Sequence, residues 1–301
     1  MQPVSFVKMH GLGNDFVLMD CLQTPPPPDD RLNAMSQAIC DRHFGVGGDG
    51  LILILPDSQA DYRMRMFNPD GSESEMCGNG IRCFGKYLFD AGLVQSPTVS
   101  VATMQGLQHI EIQEDAVPGA RATMVRVDMG APRLLRSQIP MTPSESNGND
   151  GQVINEPLQV GSTTYRITAV SMGNPHCVIF VDDVESVPLK EIGLEIEHHE
   201  AFPQRTNVHF VQILGPQKLW MRTWERGAGD TLACGSGACA VAVATALNGR
   251  LPGNNRRALV HLPGGDLDIE WAANNHVYMT GPATDVFAGS FDEEFLNSIE
   301  R

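Results

Sequence analysis

The sequence predicts a mixed α/β protein built from two similar halves, and three observations support this prediction. The chain has 301 residues, which is more than one typical domain of about 100–200 residues. Two different motifs each occur twice, at nearly the same separation along the chain. Short runs of β-forming residues also alternate with a few segments of helical apolar spacing. Together these observations favour a duplicated domain with strands and helices in each half.

The duplication is visible in two motifs. Cys-Gly-Asn-Gly at residues 77–80 matches Cys-Gly-Ser-Gly at residues 234–237. A polar residue, Asn68 or Glu225, precedes each cysteine at the same distance. Further upstream, Gly13-Asn14 matches Gly173-Asn174 in the same order. Two matches in one order are hard to obtain by chance, so we predict that each half carries one Cys-Gly-x-Gly.

The junction between the halves is expected in a break of composition. Residues 133–152 contain Ser, Asn, Gly and Pro in quick succession, which is typical of a loop. We therefore predict an N-terminal domain at residues 1–133 and a C-terminal domain at residues 134–281. The last segment, residues 282–301, is expected to pack back on the first domain.

The individual elements follow from local patterns. Runs rich in β-branched and large apolar residues predict strands at residues 16–19, 51–55, 99–102, 109–112, 124–127, 178–181, 208–214 and 219–223. Helical apolar spacing predicts helices at residues 31–41, 79–91 and 236–247. Gly92 and Gly249 would end the second and third helices. The third helix is apolar nearly all round, so a sheet wrapped around it would bury every side.

Charge and composition exclude several classes of function. The chain carries 36 acidic and 21 basic residues, a formal net charge of −15, with no basic stripe. That balance argues against binding to nucleic acid and to anionic lipid. The N-terminus has no apolar core of a signal peptide, and the longest apolar run, residues 238–247, is about half of a membrane span. These features predict a cytoplasmic protein.

Two of the seven cysteines stand out. An odd number without a secretion signal does not indicate a disulfide framework. Cys77 and Cys234 each precede a predicted helix, with Asn79 and Ser236 as suitable N-cap residues. A helix start offers backbone N–H groups and a positive dipole end, which favour a thiolate and can bind a carboxylate. The remaining five are interpreted as small core residues: Cys21, Cys40, Cys83, Cys177 and Cys239.

Two thiols and an anion site suit the inversion of a stereocentre. A thiolate would remove the proton from one face of an α-carbon, and a thiol would return a proton to the other face. N–H groups around the substrate carboxylate would stabilise the carbanion. Hydrolysis instead pairs one nucleophilic cysteine with one histidine.

Six segments resemble the diaminopimelate epimerase family: residues 9–16, 67–72, 76–83, 173–176, 224–229 and 233–237. The resemblance covers both halves. It implies interconversion of LL- and meso-2,6-diaminopimelate in lysine biosynthesis. It also implies two similar α/β domains, each a curved, mostly antiparallel sheet around a central helix, with the active site between them.

The resemblance assigns roles residue by residue. Cys77 and Cys234 would be the acid and base, while His176 and Glu225 would orient and tune them. Arg226, with Asn14 and Asn68, would suit a distal amino-carboxylate. The full set implied to bind substrate is Asn14, Asn68, Gly78, Asn79, Asn174, Asn207, Glu225, Arg226, Gly235 and Ser236. No cofactor and no metal are implied, and the expected assembly is a homodimer acting on a small molecule. Many relatives carry Gln where this chain has Gly50, so a side-chain contact to substrate is not expected there.

Other interpretations remain open at this point. A related two-cysteine racemase could act on proline or hydroxyproline. A redox or metal-binding protein could use the cysteines as a switch, although their spacing does not fit usual zinc sites. The glycine-rich segment at residues 45–50 is interpreted as a turn, because its flanking elements are in the reverse of the dinucleotide-binding order. His198, His199 and His209 have no partner spacing, so we interpret them as solvated or packed.

Overall fold

The computed structural model describes residues 4–94, 96–114, 121–143, 151–253, 255–292, 294, 295 and 299. The chain divides into two compact units. The first unit consists of Met1–Val127 with Gly281–Arg301, and the second consists of Asp128–Thr280. No helix in these described ranges is long and apolar enough to cross a membrane.

The elements alternate along the chain as a mixed α/β protein requires. The helices are α1 Asp29–Cys40, α2 Gly78–Asp90, α3 Leu189–Glu197 and α4 Gly235–Leu247. The strands are β1 Val4–Gly11, β2 Asn14–Asp20, β3 Gly50–Leu55, β4 Tyr62–Phe67, β5 Glu73–Ser74, β6 Thr98–Thr103, β7 Gly106–Glu114, β8 Ala122–Asp128, β9 Glu156–Val160, β10 Thr163–Ser171, β11 Pro175–Phe180, β12 Asn207–Gly215, β13 Lys218–Glu225, β14 Gly229–Thr231, β15 Arg257–Leu262, β16 Gly265–Trp271, β17 Val277–Pro282 and β18 Thr284–Phe291.

In the first unit the strands pair in the order β18-β1-β2-β3-β4-β6-β7-β8, with the short β5 also on β4. All pairs are antiparallel except β2–β3 and β4–β6. Strand β18 comes from the C-terminal part of the chain and pairs with β1, Val4 lying opposite Phe291.

The second unit repeats this scheme. Its strands pair in the order β9-β10-β11-β12-β13-β15-β16-β17, with the short β14 also on β13. The parallel pairs are β11–β12 and β13–β15, at the places equivalent to those of the first unit. The predicted fold class is therefore confirmed, because each unit is a mostly antiparallel sheet and the two share one topology.

Each unit packs one central helix against several strands of its sheet. Helix α2 packs against β1, β2, β3 and β7, and α4 packs against β10, β11, β12, β15 and β16. Every residue of α4 from Gly237 to Thr245 is buried. Its side chains are mostly small, so the surrounding strands can approach the helix closely and fill the space around it at the density usual for protein interiors. Helix α1 packs against β3 and β4, and helix α3 packs against β9, β12, β13 and β14.

Two expectations about helix boundaries are corrected. The N-cap residues are Cys77 and Cys234, not Asn79 and Ser236, and the helices begin at Gly78 and Gly235. Both cysteines have extended backbone angles, as an N-cap requires. Glycine at the first helical position adds no side chain, so the residue before it can serve as the cap.

The sequence pattern does not predict helix α3, and the reason is physical. It is short and contains Gly193, a poor helix former. A Cβ at Gly193 would lie 2.6 Å from the Cγ of Trp224. Tertiary packing against the indole ring therefore explains the glycine and outweighs its helix propensity.

The central part of the predicted loop, residues 144–150, lies outside the described residues.

Candidate active site

Cys77 lies at the start of α2 in the first unit. Its half-buried sulfur accepts a hydrogen bond from the backbone N–H of Gly80 at 3.4 Å. This N–H is one of those that a helix start leaves without a partner within the helix. The cap therefore ties the thiol sulfur to the positive end of the helix.

Asn14 connects Cys77 with the next polar residue of the motif. Its Oδ1 accepts a hydrogen bond from Cys77 Sγ at 3.8 Å and another from Asn79 Nδ2 at 3.0 Å. Its Nδ2 donates to Asp49 Oδ2 at 2.7 Å. Because Asp49 accepts from the amide nitrogen, the amide oxygen of Asn14 is held toward the thiol.

Asp49 belongs to a charged cluster with Lys8, Asp15 and Arg42. Arg42 Nη2 lies 2.7 Å from Asp15 Oδ1 and 2.8 Å from Asp49 Oδ1. Lys8 Nζ lies 2.5 Å from Asp15 Oδ2. Burial disfavours the charged form of Asp15, but hydrogen bonds from Arg42 and Lys8 outweigh it and lower the pKa to about 2. The cluster thus brings two basic and two acidic side chains together and supports the position of Asn14.

Asn68 lies at the turn after β4. Its Nδ2 donates to Ser72 Oγ at 3.0 Å, and its backbone N–H donates to Ser72 O at 2.8 Å. Gly71 in the same turn has a φ of +87°, a conformation that glycine adopts without strain. The turn orders Asn68 without involving the thiol.

Cys234 occupies the equivalent place in the second unit but differs in environment. It is buried, and Ser236 Oγ lies 3.9 Å from its sulfur. Burial and the nearby Glu225 carboxylate raise the pKa of the Cys234 thiol well above its usual range, although the Gly237 N–H and Ser236 act in the opposite direction. The expectation that a helix start lowers the pKa of this cysteine is therefore wrong, because burial and Glu225 outweigh the hydrogen bonds offered at the helix start.

Glu225 lies at the end of β13. The hydroxyl of Thr231 donates a hydrogen bond to Glu225 Oε1. These two residues lie on the paired strands β13 and β14, which lead directly into the turn before Cys234. The pairing therefore places a carboxylate next to the thiol.

His176 is fully buried and lies between two polar side chains. Its Nε2 is 2.9 Å from Asn174 Oδ1, and its Nδ1 is 2.9 Å from His209 Nε2. His209 Nδ1 is in turn 3.0 Å from Thr223 Oγ1. Burial lowers the pKa of His209 to about 3 and that of His176 well below its usual range. Both rings are therefore neutral at physiological pH.

Asn207 holds the turn that carries Arg226. Its Nδ2 donates to Pro175 O at 2.9 Å, and its Oδ1 accepts from the Arg226 backbone N–H at 3.0 Å. The Arg226 guanidinium donates to Gln204 O at 3.0 Å. Glu197 supports the same turn by accepting from the Gly227 N–H at 3.0 Å. The side chain of Arg226 is thus anchored through its backbone on one side and its guanidinium on the other.

A family model described as diaminopimelate epimerase matches residues 6–135 and 168–286. The chain belongs to the diaminopimelate epimerase family. It is 55% identical over 286 residues to the diaminopimelate epimerase of Pelotomaculum thermopropionicum, covering 95% of this chain and 98% of that protein. It is 54% identical over 287 residues to that of Moorella thermoacetica, again covering 95% and 98%. The chain is therefore an isomerase of the racemase and epimerase type.

Solved structures of more distant proteins share the fold of this family member. A phenazine biosynthesis protein of the PhzF family from Bacillus anthracis has a TM-score of 0.68 at 14% identity, covering 97% of this chain and 100% of that one. A hydroxyproline epimerase from Agrobacterium vitis has a TM-score of 0.66 at 16% identity, covering 98% and 94%. At these identities the similarity concerns architecture alone.

Within each unit, the epimerase brings several of the expected site residues into hydrogen-bonded sets. In the first unit these are Asn14, Cys77 and Asn79, which are joined directly. In the second unit Asn174 is joined to His176, and Asn207 to Arg226. Glu225 acts on Cys234 through its charge. Gly78 and Gly235 open the two helices, and Ser236 follows Gly235.

Two further residues, Asp49 and His209, contact expected site residues but are not predicted from the sequence. Asp49 lies in the glycine-rich segment at residues 45–50, which predicts a turn and gives no sign of a contact with Asn14. His209 was interpreted as packed or solvated, yet it contacts His176. A usable signal existed for His209, because it follows Asn207 by two residues on a strand and therefore lies on the same face.

The expected site residues are set apart from a cavity of the first unit, and the described residues offer no metal-binding cluster. Among the residues that the structure describes, no group of three or more His, Cys, Asp or Glu side chains could hold a metal ion. All seven cysteines are described, and none forms a disulfide. A cavity of about 570 Å³ in the first unit is lined by residues outside the expected site, among them Phe6, Leu18, Pro26 and Tyr87.

Proposed function

We propose that this family member interconverts LL- and meso-2,6-diaminopimelate without a cofactor, with Cys77 and Cys234 as the two acid–base residues. The observation that carries the proposal is the repeated N-cap. Each unit places one cysteine directly before a helix that begins with glycine and packs against the strands of that unit. A cysteine at that place combines a proton-transferring sulfur with backbone N–H groups that favour negative charge.

The proton balance of the reaction needs both sulfurs. One cysteine, as thiolate, takes the proton from the α-carbon and becomes a thiol. The other, as thiol, gives its proton to the opposite face and becomes a thiolate. The electron pair of the broken C–H bond stays on the α-carbon until that second transfer. The two cysteines exchange roles for the opposite isomer, so the proposal requires both to reach the same carbon.

The environment of Cys234 supports its role as the initial proton donor. Burial and the Glu225 carboxylate favour the thiol form of Cys234. A thiol that holds its proton in the resting protein is ready to donate it to a carbanion. In this scheme Glu225 and His176 are the residues that tune the thiol, as the family resemblance implies.

The remaining expected site residues would bind the two ends of the substrate. The N–H groups at Gly78, Asn79, Gly235 and Ser236 would hold the reacting carboxylate, since helix starts bind anions. Arg226, with Asn14 and Asn68, would bind the distal amino-carboxylate, because a guanidinium grips a carboxylate bidentately. Asn174 and Asn207 complete the polar contacts. For Arg226, substrate binding would replace its hydrogen bond to Gln204 O.

The family also bears on the biological setting. Interconversion of diaminopimelate isomers would serve lysine biosynthesis, and we propose a cytoplasmic homodimer. Light scattering of the purified protein measures the assembly directly; a mass near twice the 32.7 kDa of one chain is expected, and the mass of one chain would contradict it.

The main experiment follows isotope exchange. We expect LL-diaminopimelate, incubated with the protein and a reductant in deuterated water, to acquire deuterium at the α-carbon and to form the meso isomer. Proton NMR measures both changes without added cofactor. Exchange with proline instead of diaminopimelate would favour the racemase interpretation, and the absence of exchange with either would refute the proposal.

Single cysteine variants test the two-base assignment. Cys77→Ser and Cys234→Ser should retain the fold, because each change is nearly isosteric. Each should reduce epimerisation severely, because a hydroxyl is a far weaker acid than a thiol. Cys21→Ser is the matched control, since Cys21 lies after β2 in the first unit, outside the expected site. Near-normal turnover of either site variant would contradict the assignment.

A further inference from the structure

We propose that His209 is a positioning residue for the epimerase reaction: it determines which ring nitrogen of His176 carries the proton, and so directs the His176 Nε2–H at Asn174. The inference rests on the proposed function, in which His176 and Asn174 belong to the site. It adds a residue that the family resemblance does not assign.

Strand pairing places His209 in this position. On β12 it lies directly opposite Thr223 of β13. On the other side, β12 runs parallel to β11, and Asn207 lies opposite His176. Because alternate residues of a strand share a face, His209 lies on the face that carries Asn207, one step further along. The ring can thus reach Thr223 on one side and His176 on the other.

Four side chains form one continuous line of hydrogen bonds. Thr223 Oγ1 is 3.0 Å from His209 Nδ1, His209 Nε2 is 2.9 Å from His176 Nδ1, and His176 Nε2 is 2.9 Å from Asn174 Oδ1. Both rings are fully buried, and Thr223 is buried as well. Water therefore does not compete for these nitrogens, and the partners along the line decide where each proton lies.

The direction of the line follows from its end. Asn174 Oδ1 can only accept, so His176 Nε2 must donate. A neutral His176 then has no proton on Nδ1, which must accept from His209 Nε2. A neutral His209 in turn accepts at Nδ1 from the Thr223 hydroxyl. One arrangement of protons satisfies every contact, and in it Asn174 and His209 hold the Nε2–H form of His176 from its two sides.

Helix α4 lies against the ring of His209. A Cβ at Gly237 of α4 would lie 2.4 Å from His209 Cε1 and 3.0 Å from Cys234 Sγ. The glycine thus makes room for the ring beside the thiol. The absence of a side chain at Gly237 lets α4 pack closely on the ring that contacts His176.

An apolar side chain at position 209 would fill the same space at a lower free-energy cost of burial, because a buried polar group loses its hydration. The hydrogen bonds at both ring nitrogens offset that cost only while both partners are present. A role in orienting His176 accounts for a histidine here, whereas packing alone does not.

The test compares three variants. His209→Met fills the space but removes the donor to His176. His209→Gln keeps an amide N–H where Nε2 lies. Thr223→Val removes only the first donor of the line and is nearly isosteric. We expect His209→Met to reduce kcat by roughly tenfold, the order of magnitude of one lost buried hydrogen bond, with little change in KM. His209→Gln should restore most of kcat, and Thr223→Val should have an intermediate effect.

Nitrogen NMR of histidine-labelled protein supplies a readout that packing does not move. We expect His176 to be the Nε2–H tautomer in the wild type and in His209→Gln, and a mixture of tautomers in His209→Met and Thr223→Val. His198→Gln, an exposed histidine at the end of α3, is the matched control. A folded His209→Met with unchanged His176 signals and unchanged kcat would overturn the inference.

If His209→Met does not fold, the tautomer of His176 in Thr223→Val decides alone, and an unchanged Nε2–H form would overturn the inference. The tautomer is measured without substrate. A wild type that lacks epimerase activity would therefore refute the proposed function, whereas an unaltered tautomer would refute only the role of His209.

Discussion

The carboxylate of Asp49 accepts a hydrogen bond from Asn14 Nδ2 at 2.7 Å, and this bond determines which end of the Asn14 amide faces Cys77. The oxygen end accepts from both Cys77 and Asn79. The Asp49 carboxyl accepts from Asn14 and from Arg42, so the reversed Asn14 amide, which would turn its oxygen toward Asp49, is excluded. A residue of the glycine-rich loop thus orients a residue of β2 beside the thiol.

Replacing Asp49 tests this relationship. Asp49→Asn can donate as well as accept, so the Asn14 amide loses its single orientation. We expect kcat/KM for diaminopimelate to fall by roughly ten- to a hundredfold, as for a lost charge-assisted hydrogen bond of about 1.5–3 kcal/mol. Steady-state kinetics measures the change. Glu111→Gln on β7, which breaks a surface ion pair with Arg126 of β8, is the control and should leave activity unchanged.

A second prediction concerns Glu225 and the ionisation of Cys234. Burial raises the pKa of the thiol, and the Glu225 carboxylate raises it further. Glu225→Gln removes the negative charge, so the pKa of the Cys234 thiol should fall. The thiolate fraction at neutral pH should then rise tenfold for each pKa unit by which the thiol pKa falls. We expect faster alkylation of Cys234 by iodoacetamide, followed by mass spectrometry of the peptide. Alkylation at an unchanged or lower rate would show that the carboxylate does not control this thiol.

Acid should weaken the first unit through Asp15. Its pKa falls from 3.8 to about 2 in the folded protein. A depressed pKa means that the stabilisation is complete above about pH 4 and is lost as the pH falls toward 2, with a size of about 2 kcal/mol. We expect the free energy of unfolding, measured in urea, to decrease over this range in the wild type. Asp15→Asn should be less stable at neutral pH, and its difference from the wild type should shrink toward pH 2.

Gly237→Ala sets two effects against each other. Alanine is favoured over glycine in a helix by about 0.8–1.0 kcal/mol, but its Cβ would lie 2.4 Å from His209 Cε1. Overpacking of a buried site costs about 1–3 kcal/mol, so we expect a net loss of stability in thermal unfolding. Gly215→Ala is the control, because no atom lies within 4 Å of a Cβ there. A variant more stable than the wild type would show that the ring moves aside at little cost.

The sequence by itself determined the features that depend on neighbours along the chain. The two Cys-Gly-x-Gly motifs, the duplication and the apolar helix at residues 236–247 were all predicted, and the fold class is confirmed. Helix starts and apolar spacing involve residues within one or two turns, so local pattern carries them. The roles of the expected site residues stay predictions until the variants are measured.

Tertiary structure decided what depends on residues distant in sequence. Asp49 meets Asn14 only because β3 pairs beside β2, and His209 meets Thr223 and His176 only through the register of β11, β12 and β13. The ionisation of Cys234 depends on burial, which no local motif contains. A motif identifies the thiol, but the energy of its charged form is set by the solvent and the charges that the folded chain leaves around it.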